Sequence, residues 1–343
     1  MTSKERVKAA VHFQKVDQVP VQFFYSPVGY FEHGEKLNEL YATLPGDFQP
    51  FIRQEIPRLS AGFFDSSGKY HEFKTDEWGT VWEYRIYGVA GIPVRRPLNC
   101  APDILHYQLP EAPDLSGAKF LAFRGGIAQL NRRGYYTMNS CGSLYERLIA
   151  LYGDENVLCD IGLDEPEINL LADRIMAWNS RFVQRAILSG CDAIQFGDDY
   201  GSQNSLLFSP ECWRHFFKPR LKKLFAPAVQ AGLDVHFHSC GQIGAILDDL
   251  KEIGVTSIWP QMPLFDMNEL AEHCRWLGLA VAIHTDRANA MTLGTPQAVR
   301  ELIIQEYETF KMRDGGSWFY IEADNGFPFE NIQALVETIK EIQ

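Results

Sequence analysis

The chain has 343 residues with 32 basic and 44 acidic side chains, a formal net charge of −12 at pH 7. That balance repels phosphate backbones and argues against nucleic acid as a partner, while 46% hydrophobic and 22% charged residues exclude disordered and fibrous classes. No apolar run approaches the roughly 18 residues that a membrane helix needs, and the opening MTSKERVKAAVHFQ lacks the apolar core of a signal peptide. No membrane association is expected, and the odd, scattered set of 7 cysteines reads as reduced and cytoplasmic.

In chain order, Val19–Tyr25 suits a first barrel strand. Residues 70–110, with Asp76-Glu77-Trp78-Gly79, suit a β-hairpin insertion, and Tyr135–Asn139 suits another strand. Asp164–Gly190 reads as one long helix with Pro166 in its first turn. From there the pattern is regular. Cys191–Asp199 is a short buried strand, and Ser209-Pro210-Glu211 opens a helix that Gly232 stops. Strand 234–240 precedes a helix ending at Gly254. Strand 256–260 feeds a helix capped by Asp266, with Glu269 as its capping-box partner. Strand 279–284 feeds a helix capped by Thr295, and strand 317–322 feeds a terminal helix near 328–342. Alternating strands and helices imply βαβ units and a parallel sheet. With a similar length of chain before them, the expected fold is α/β, a single (β/α)8 TIM-type barrel domain spanning 1–343. A doubly wound sheet is the alternative, weakened because no GxGxxG or Walker loop follows any expected strand.

Barrel enzymes carry their chemistry at the C-terminal ends of the strands. Here four expected strands end in Asp198-Asp199, His238-Ser239-Cys240, His284-Thr285-Asp286 and Glu322-Ala323-Asp324. Residues two apart on a strand share a face, so His236, His238 and Cys240 point one way and Val235 and Phe237 the other. Imidazole and thiolate together suit a borderline metal such as zinc. A hydrogen-bonded histidine beside a buried free cysteine is the structural alternative. On the last strand Trp318, Tyr320, Glu322 and Asp324 share a face, which makes Glu322 the expected third ligand, against a plain ion pair with Arg287. Of the two adjacent aspartates only one can enter the site. Cys141, in Asn-Ser-Cys-Gly, is expected to be structural.

At these residues the chain resembles the uroporphyrinogen decarboxylase superfamily, in particular its cobamide-dependent methyltransferase branch. The resemblance runs from Glu5-Arg6-Val7 and Val16–Pro20, through Asp76–Gly79 and Gly197-Asp198-Asp199-Tyr200-Gly201-Ser202-Gln203, to His238-Ser239-Cys240-Gly241 and Pro328–Ile332. The arginine-rich loop of true decarboxylases has no counterpart in Phe23-Phe24-Tyr25-Ser26-Pro27, and a second cysteine expected on the last strand is replaced by Glu322-Ala323-Asp324.

The resemblance implies a zinc-dependent methyltransferase, with metal on His238, Cys240 and Glu322. It would move a methyl group from a methyl donor, most simply a methoxylated aromatic, to the cob(I)alamin of a separate corrinoid-binding protein. Asp199 or Gln203 would orient donor or ligand, and Phe24, Tyr25, Tyr200, Trp259 and Phe327 would clasp the ring. Transfer from a methylated corrinoid to a thiol or folate is the same-fold alternative, porphyrinogen decarboxylation a further one, and a non-catalytic zinc-binding or corrinoid-chaperone barrel the last.

Overall fold

A computed structural model describes residues 1–343. Helix α1 (Ser3–Val11) leads into strand β1 (Val21–Phe24) and helices α2 (Pro27–His33) and α3 (Glu35–Tyr41). An insertion follows, with strands β2 (Glu72–Thr75), β3 (Val81–Tyr84) and β4 (Ile92–Arg95) and helix α4 (Ala101–His106). The expected hairpin is a three-stranded antiparallel sheet, β2-β3-β4, on which Asp76 binds the Trp82 indole and Arg147. Then come α5 (Ala118–Arg132), β5 (Met138–Ser140), α6 (Tyr145–Tyr152), α7 (Asp154–Leu163) and α8 (Pro166–Ser189).

The second half alternates as its sequence predicts: β6 (Ala193–Gly197), α9 (Pro210–Phe216), α10 (Lys218–Gln230), β7 (Asp234–Ser239), α11 (Leu247–Glu252), β8 (Ser257–Pro260), α12 (Met267–Leu277), β9 (Ala280–Ile283), α13 (Pro296–Thr309), β10 (Ser317–Glu322) and α14 (Phe329–Ile342). Ser209, Asp266 and Thr295 each accept backbone N–H groups as N-caps. The helix opened by Ser209 breaks at Phe217, so one expected helix is two.

Seven parallel strands run in the order β1-β10-β9-β8-β7-β6-β5. A doubly wound sheet reverses strand order at a switch point; this order does not, and the sheet curls into a TIM-type barrel. The eighth station, between β1 and β5, holds no regular strand. It is spanned at Asp47, whose N–H donates to Val21 O at 2.8 Å and whose O accepts from Tyr136 N at 3.2 Å. Asp47 Oδ2 also accepts Val21 N–H at 2.9 Å, and Oδ1 takes the Arg6 guanidinium at 2.6 Å.

Inward-facing residues fill the barrel. Val7 and Val11 of α1 enter from the N-terminal end, beneath Phe48, Tyr136, Ala193, Ala280, Ala282, Trp318 and Tyr320. The outward face of β10, Phe319, Ile321 and Ala323, joins the larger apolar layer under the helices. No helix is long and apolar enough to cross a membrane.

Arg6 and Asp47 are both buried, so removing one partner strands the other charge away from water. That typically costs about 3–5 kcal/mol. Arg6→Met is expected to lower Tm by several degrees in a thermal melt, a much larger loss than Arg53→Met, whose partner Glu35 is solvent-exposed.

Candidate active site at the C-terminal end of the barrel

Two loops build the floor of the site. After β6 the chain turns through Asp198-Asp199-Tyr200-Gly201, and after β7 through Cys240-Gly241. The two turns touch backbone to backbone. A Cβ added at Gly241 would lie 2.1 Å from Gly201 C and O, and one added at Gly201 would lie 2.5 Å from Gly241 C. Gly241 also has φ +82, a left-handed conformation that only glycine adopts without strain. The contact is zippered by Asp198 N to His238 O at 3.0 Å, Gly201 N to Cys240 O at 3.3 Å and Gln242 N to Ser202 O at 2.8 Å.

This crossing separates the two aspartates. Asp198 is buried under the start of α6, where it accepts the N–H groups of Leu144, Tyr145 and Glu146 at 3.0, 2.7 and 2.9 Å. Asp199 faces the site. Its Oδ1 accepts Cys240 N–H at 2.8 Å and lies 3.6 Å from His238 Nε2. Cys240 Sγ is likewise 3.6 Å from His238 Nε2. The donor atoms of Asp199, His238 and Cys240 all fall within 4.8 Å of one another.

His238 and Cys240 line a cavity of about 1020 Å³, with Asp199 against both. Phe24, Gln203, Trp259, Glu322 and Phe327 line it with His238 and Cys240. One wall is a run of rings: Trp259 is 4.0 Å from the His238 ring and 4.2 Å from Tyr320, and Tyr320 lies 6.5 Å from Phe24 at a 20° interplanar angle. Two expected ring contacts belong elsewhere. Tyr200 is fully buried between Phe217 and Phe237, because the residue after Asp199 turns into the layer under the helices. Tyr25 packs outside the barrel against Phe23, Tyr30, Tyr41 and Phe51.

Glu322 is also displaced from its expected position. The sequence predicts it as the third donor beside His238 and Cys240, whereas the structure groups Asp199 with them. β6 pairs directly with β7, while β10 is separated from β7 by β8 and β9. Glu322 instead faces His284, with Oε2 3.9 Å from Nε2, and Asp324, not Glu322, makes the ion pair with Arg287. His236 shares the inward face of β7 but is committed to Tyr136 Oη at 2.9 Å and to Ser257 Oγ. Burial pushes its pKa down to about 4, so it stays neutral. Cys141 is buried and donates to Gln195 O at 3.2 Å, a packing role as expected.

The cavity is also lined by His284, which ends an expected strand, by Tyr320, which shares the inward face of Glu322, and by Arg287 and Gln261. Strand parity carries the signal for two of them: His284 continues the inward row Ala280, Ala282, and Gln261 continues Ser257, Trp259.

Electrostatics at the floor suit a cation. Burial pushes the Cys240 thiol up to about 12, and the adjacent Asp199 carboxylate adds to this. Burial pushes the His238 imidazole down, leaving it neutral. His238 Nδ1 donates to Trp259 O at 2.8 Å, so Nε2 presents a lone pair toward Asp199 and Cys240. One nitrogen, one sulfur and one oxygen donor, with a thiol that only a positive charge would ionise readily, fit a zinc ion.

The profile of one protein family, described as uroporphyrinogen decarboxylase (URO-D), matches residues 151–342. Comparison with curated proteins gave no significant match. A solved methyltransferase from Methanosarcina mazei is similar in fold, with TM-score 0.66 and 16% identity over 99% of each chain. A dihydropteroate synthase from Xanthomonas albilineans is similar over 57% of this chain and 64% of its own, with 12% identity and TM-score 0.37.

Two outcomes follow from this geometry. Gly241→Ala is expected to lower Tm, since a left-handed alanine costs about 1–2 kcal/mol before the clash with Gly201 is counted. Gly125→Ala, whose Cβ would meet nothing within 4 Å in α5, is expected to leave Tm unchanged or raised. The second concerns Glu306 on α13, fully buried and hydrogen-bonded by Thr285 Oγ1 at 2.5 Å, with its pKa pushed up to about 8 by burial. The folded state therefore holds this proton more tightly than the unfolded chain, and stability falls as pH rises between about 4.5 and 8. Thermal melts of Glu306→Gln across that range should show a smaller fall in Tm than those of the parent.

Proposed function

We propose, from the premise that the chain belongs to the uroporphyrinogen decarboxylase family, that it is a methyltransferase taking a methyl group from a methoxylated aromatic. The acceptor in this reading is the cob(I)alamin of a separate corrinoid-binding protein docked over the barrel mouth. The observation that carries the reading is the Asp199–His238–Cys240 donor set at the floor of a cavity walled by aromatic rings. His238, Cys240 and Asp199 would hold zinc, which when bound supplies a Lewis acid for negative charge on an ether oxygen. The corrinoid supplies the nucleophile. The methyl–oxygen bond breaks, its electron pair stays on the phenolic oxygen, and the methyl group forms its new bond to cobalt.

The chain's own residues perform the positioning. Trp259 O holds His238 in the tautomer that offers Nε2, and Cys240 N–H fixes Asp199. The faces of Trp259, Tyr320 and Phe24 offer a slot for a flat ring, where offset stacking adds about 0.5–1.5 kcal/mol beyond burial. Phe327 and Gln203 line the same cavity. Porphyrinogen decarboxylation is disfavoured by charge. Arg287 is the sole lysine or arginine lining the cavity and is already paired with Asp324, which leaves little to grip a polycarboxylate.

Purified protein is expected to hold about one zinc per chain, measured by atomic emission, and the double variant His238→Ala, Cys240→Ser to lose it while keeping the barrel's circular dichroism. Methoxyarenes should methylate cob(I)alamin, read from the spectral change of the corrinoid, and loss of either ligand should lower the rate by about 10–100-fold or more. Reaction of methylcob(III)alamin with a thiol or folate, but not of methoxyarenes with cob(I)alamin, would reverse the direction of transfer.

A further inference from the structure

A second polar pair stands in the cavity away from the zinc-suited floor. His284 is 9% exposed, and its Nε2 is buried without a hydrogen-bond partner. Its other nitrogen is spoken for: the Trp259 indole N–H, a donor only, lies 3.3 Å from His284 Nδ1. Nδ1 must therefore carry the lone pair, and Nε2 the proton. Burial and the nearby Arg287 push the His284 pKa down to about 3, so this neutral tautomer persists through ordinary pH. The result is an N–H donor facing the cavity with nothing to bind.

Across from it is Glu322 Oε2, 3.9 Å away. That gap is too long for a hydrogen bond between them, since N–H···O bonds close at about 2.7–3.2 Å. It is short enough for a single oxygen atom to reach both. Burial raises the Glu322 pKa and the nearby Arg287 opposes that; an oxygen that accepts from His284 Nε2–H and donates to the ionised Glu322 carboxylate must carry a hydrogen. An ether or a carboxylate oxygen lacks one. Tyr320, whose ring is 4.9 Å from that of His284, and Phe24 flank the spot with aromatic faces.

We propose that His284 and Glu322 form a hydroxyl-recognition pair that selects methyl donors bearing a free ring hydroxyl beside the methoxy group's ring. The inference rests on the methoxyarene reading above and narrows its substrate class to methoxyphenols. The substrate hydroxyl bonds both groups at once, whereas a second methoxy group can accept from His284 but leaves the Glu322 carboxylate without a donor. A site built to bond a hydroxyl discriminates against analogues lacking it because its buried polar groups are then left unpaired.

The test is calorimetric binding of the 2-, 3- and 4-methoxyphenols to the zinc-loaded protein, each compared with the dimethoxybenzene of the same ring pattern. At least one methoxyphenol should bind about tenfold or more tighter than its dimethoxy partner, the effect of the hydrogen bond that only a hydroxyl can donate to Glu322. His284→Phe, which can no longer hold the ring oxygen against Glu322, should abolish that ratio. His284→Gln, which restores an N–H donor, should recover part of it, and Glu322→Gln should reduce it. Equal affinities throughout, a ratio that survives His284→Phe, or no binding of any arene would each overturn the proposal. Selective, His284-dependent binding without methylation of cob(I)alamin would instead sink the methyl-transfer reading and leave the recognition pair standing.

Discussion

The site exists because two glycines allow two strand-end turns to occupy nearly the same space. Gly201 and Gly241 meet backbone to backbone, at separations no Cβ would tolerate. Only with the turns this close can Asp199, on the loop after β6, accept the N–H of Cys240, on the loop after β7. Only then does its carboxylate fall within reach of His238 Nε2. Asp198, turned the other way by the same bend, ties the loop to the start of α6 through three N–H groups. The glycines thus convert two neighbouring parallel strands into one donor cluster, and Tyr200 between them anchors the turn in the outer core.

A second residue organises the cavity by controlling protons rather than space. Trp259 accepts from His238 Nδ1 through its carbonyl and donates to His284 Nδ1 through its indole. One side chain and its own backbone therefore set opposite tautomers on two histidines. His238 turns a lone pair toward Asp199 and Cys240, and His284 turns a proton toward Glu322. A metal needs the first arrangement, and an oxygen ligand needs the second. The same indole lies against both rings and against Tyr320, so the element that fixes the tautomers is also part of the aromatic wall.

The sequence made the second half of the barrel legible because its units carry local signals: short apolar strands, N-caps at Ser209, Asp266 and Thr295, and glycine stops at Gly232, Gly254 and Gly278. Residues 46–49 carry none of these. Their station in the barrel is held by Asp47 through long-range bonds to Arg6, Val21 and Tyr136, which no local period reveals. A similar limit applies at the site. Strand parity correctly turns His238, Cys240, Glu322 and His284 inward, but parity gives direction and not distance. Which inward residues meet is decided by sheet order. Adjacent β6 and β7 bring Asp199 to His238, and the intervening β8 and β9 leave Glu322 beside His284. Tyr25 and Tyr200 lie outside the cavity because both fall on the parity that faces the helices.

Fold and site make opposite demands on burial, and the barrel separates them along its axis. Toward the N-terminal end, α1 plugs the interior with Val7 and Val11, and the polar groups present there are satisfied: Tyr136 binds Asp234 and His236, and His12 pairs with Asp234 at 3.0 Å. Toward the C-terminal end, burial works against the groups it encloses. It raises the Cys240 thiol, lowers His238 and His284, and leaves His284 Nε2 without a partner. Such unsatisfied groups are destabilising in isolation, and proteins retain them where a ligand completes them. The apolar layers supply the stability that tolerates them. The Asp199–His238–Cys240 set and the His284–Glu322 pair share Trp259 and a single cavity, so the proposed ligand would meet both along one aromatic wall.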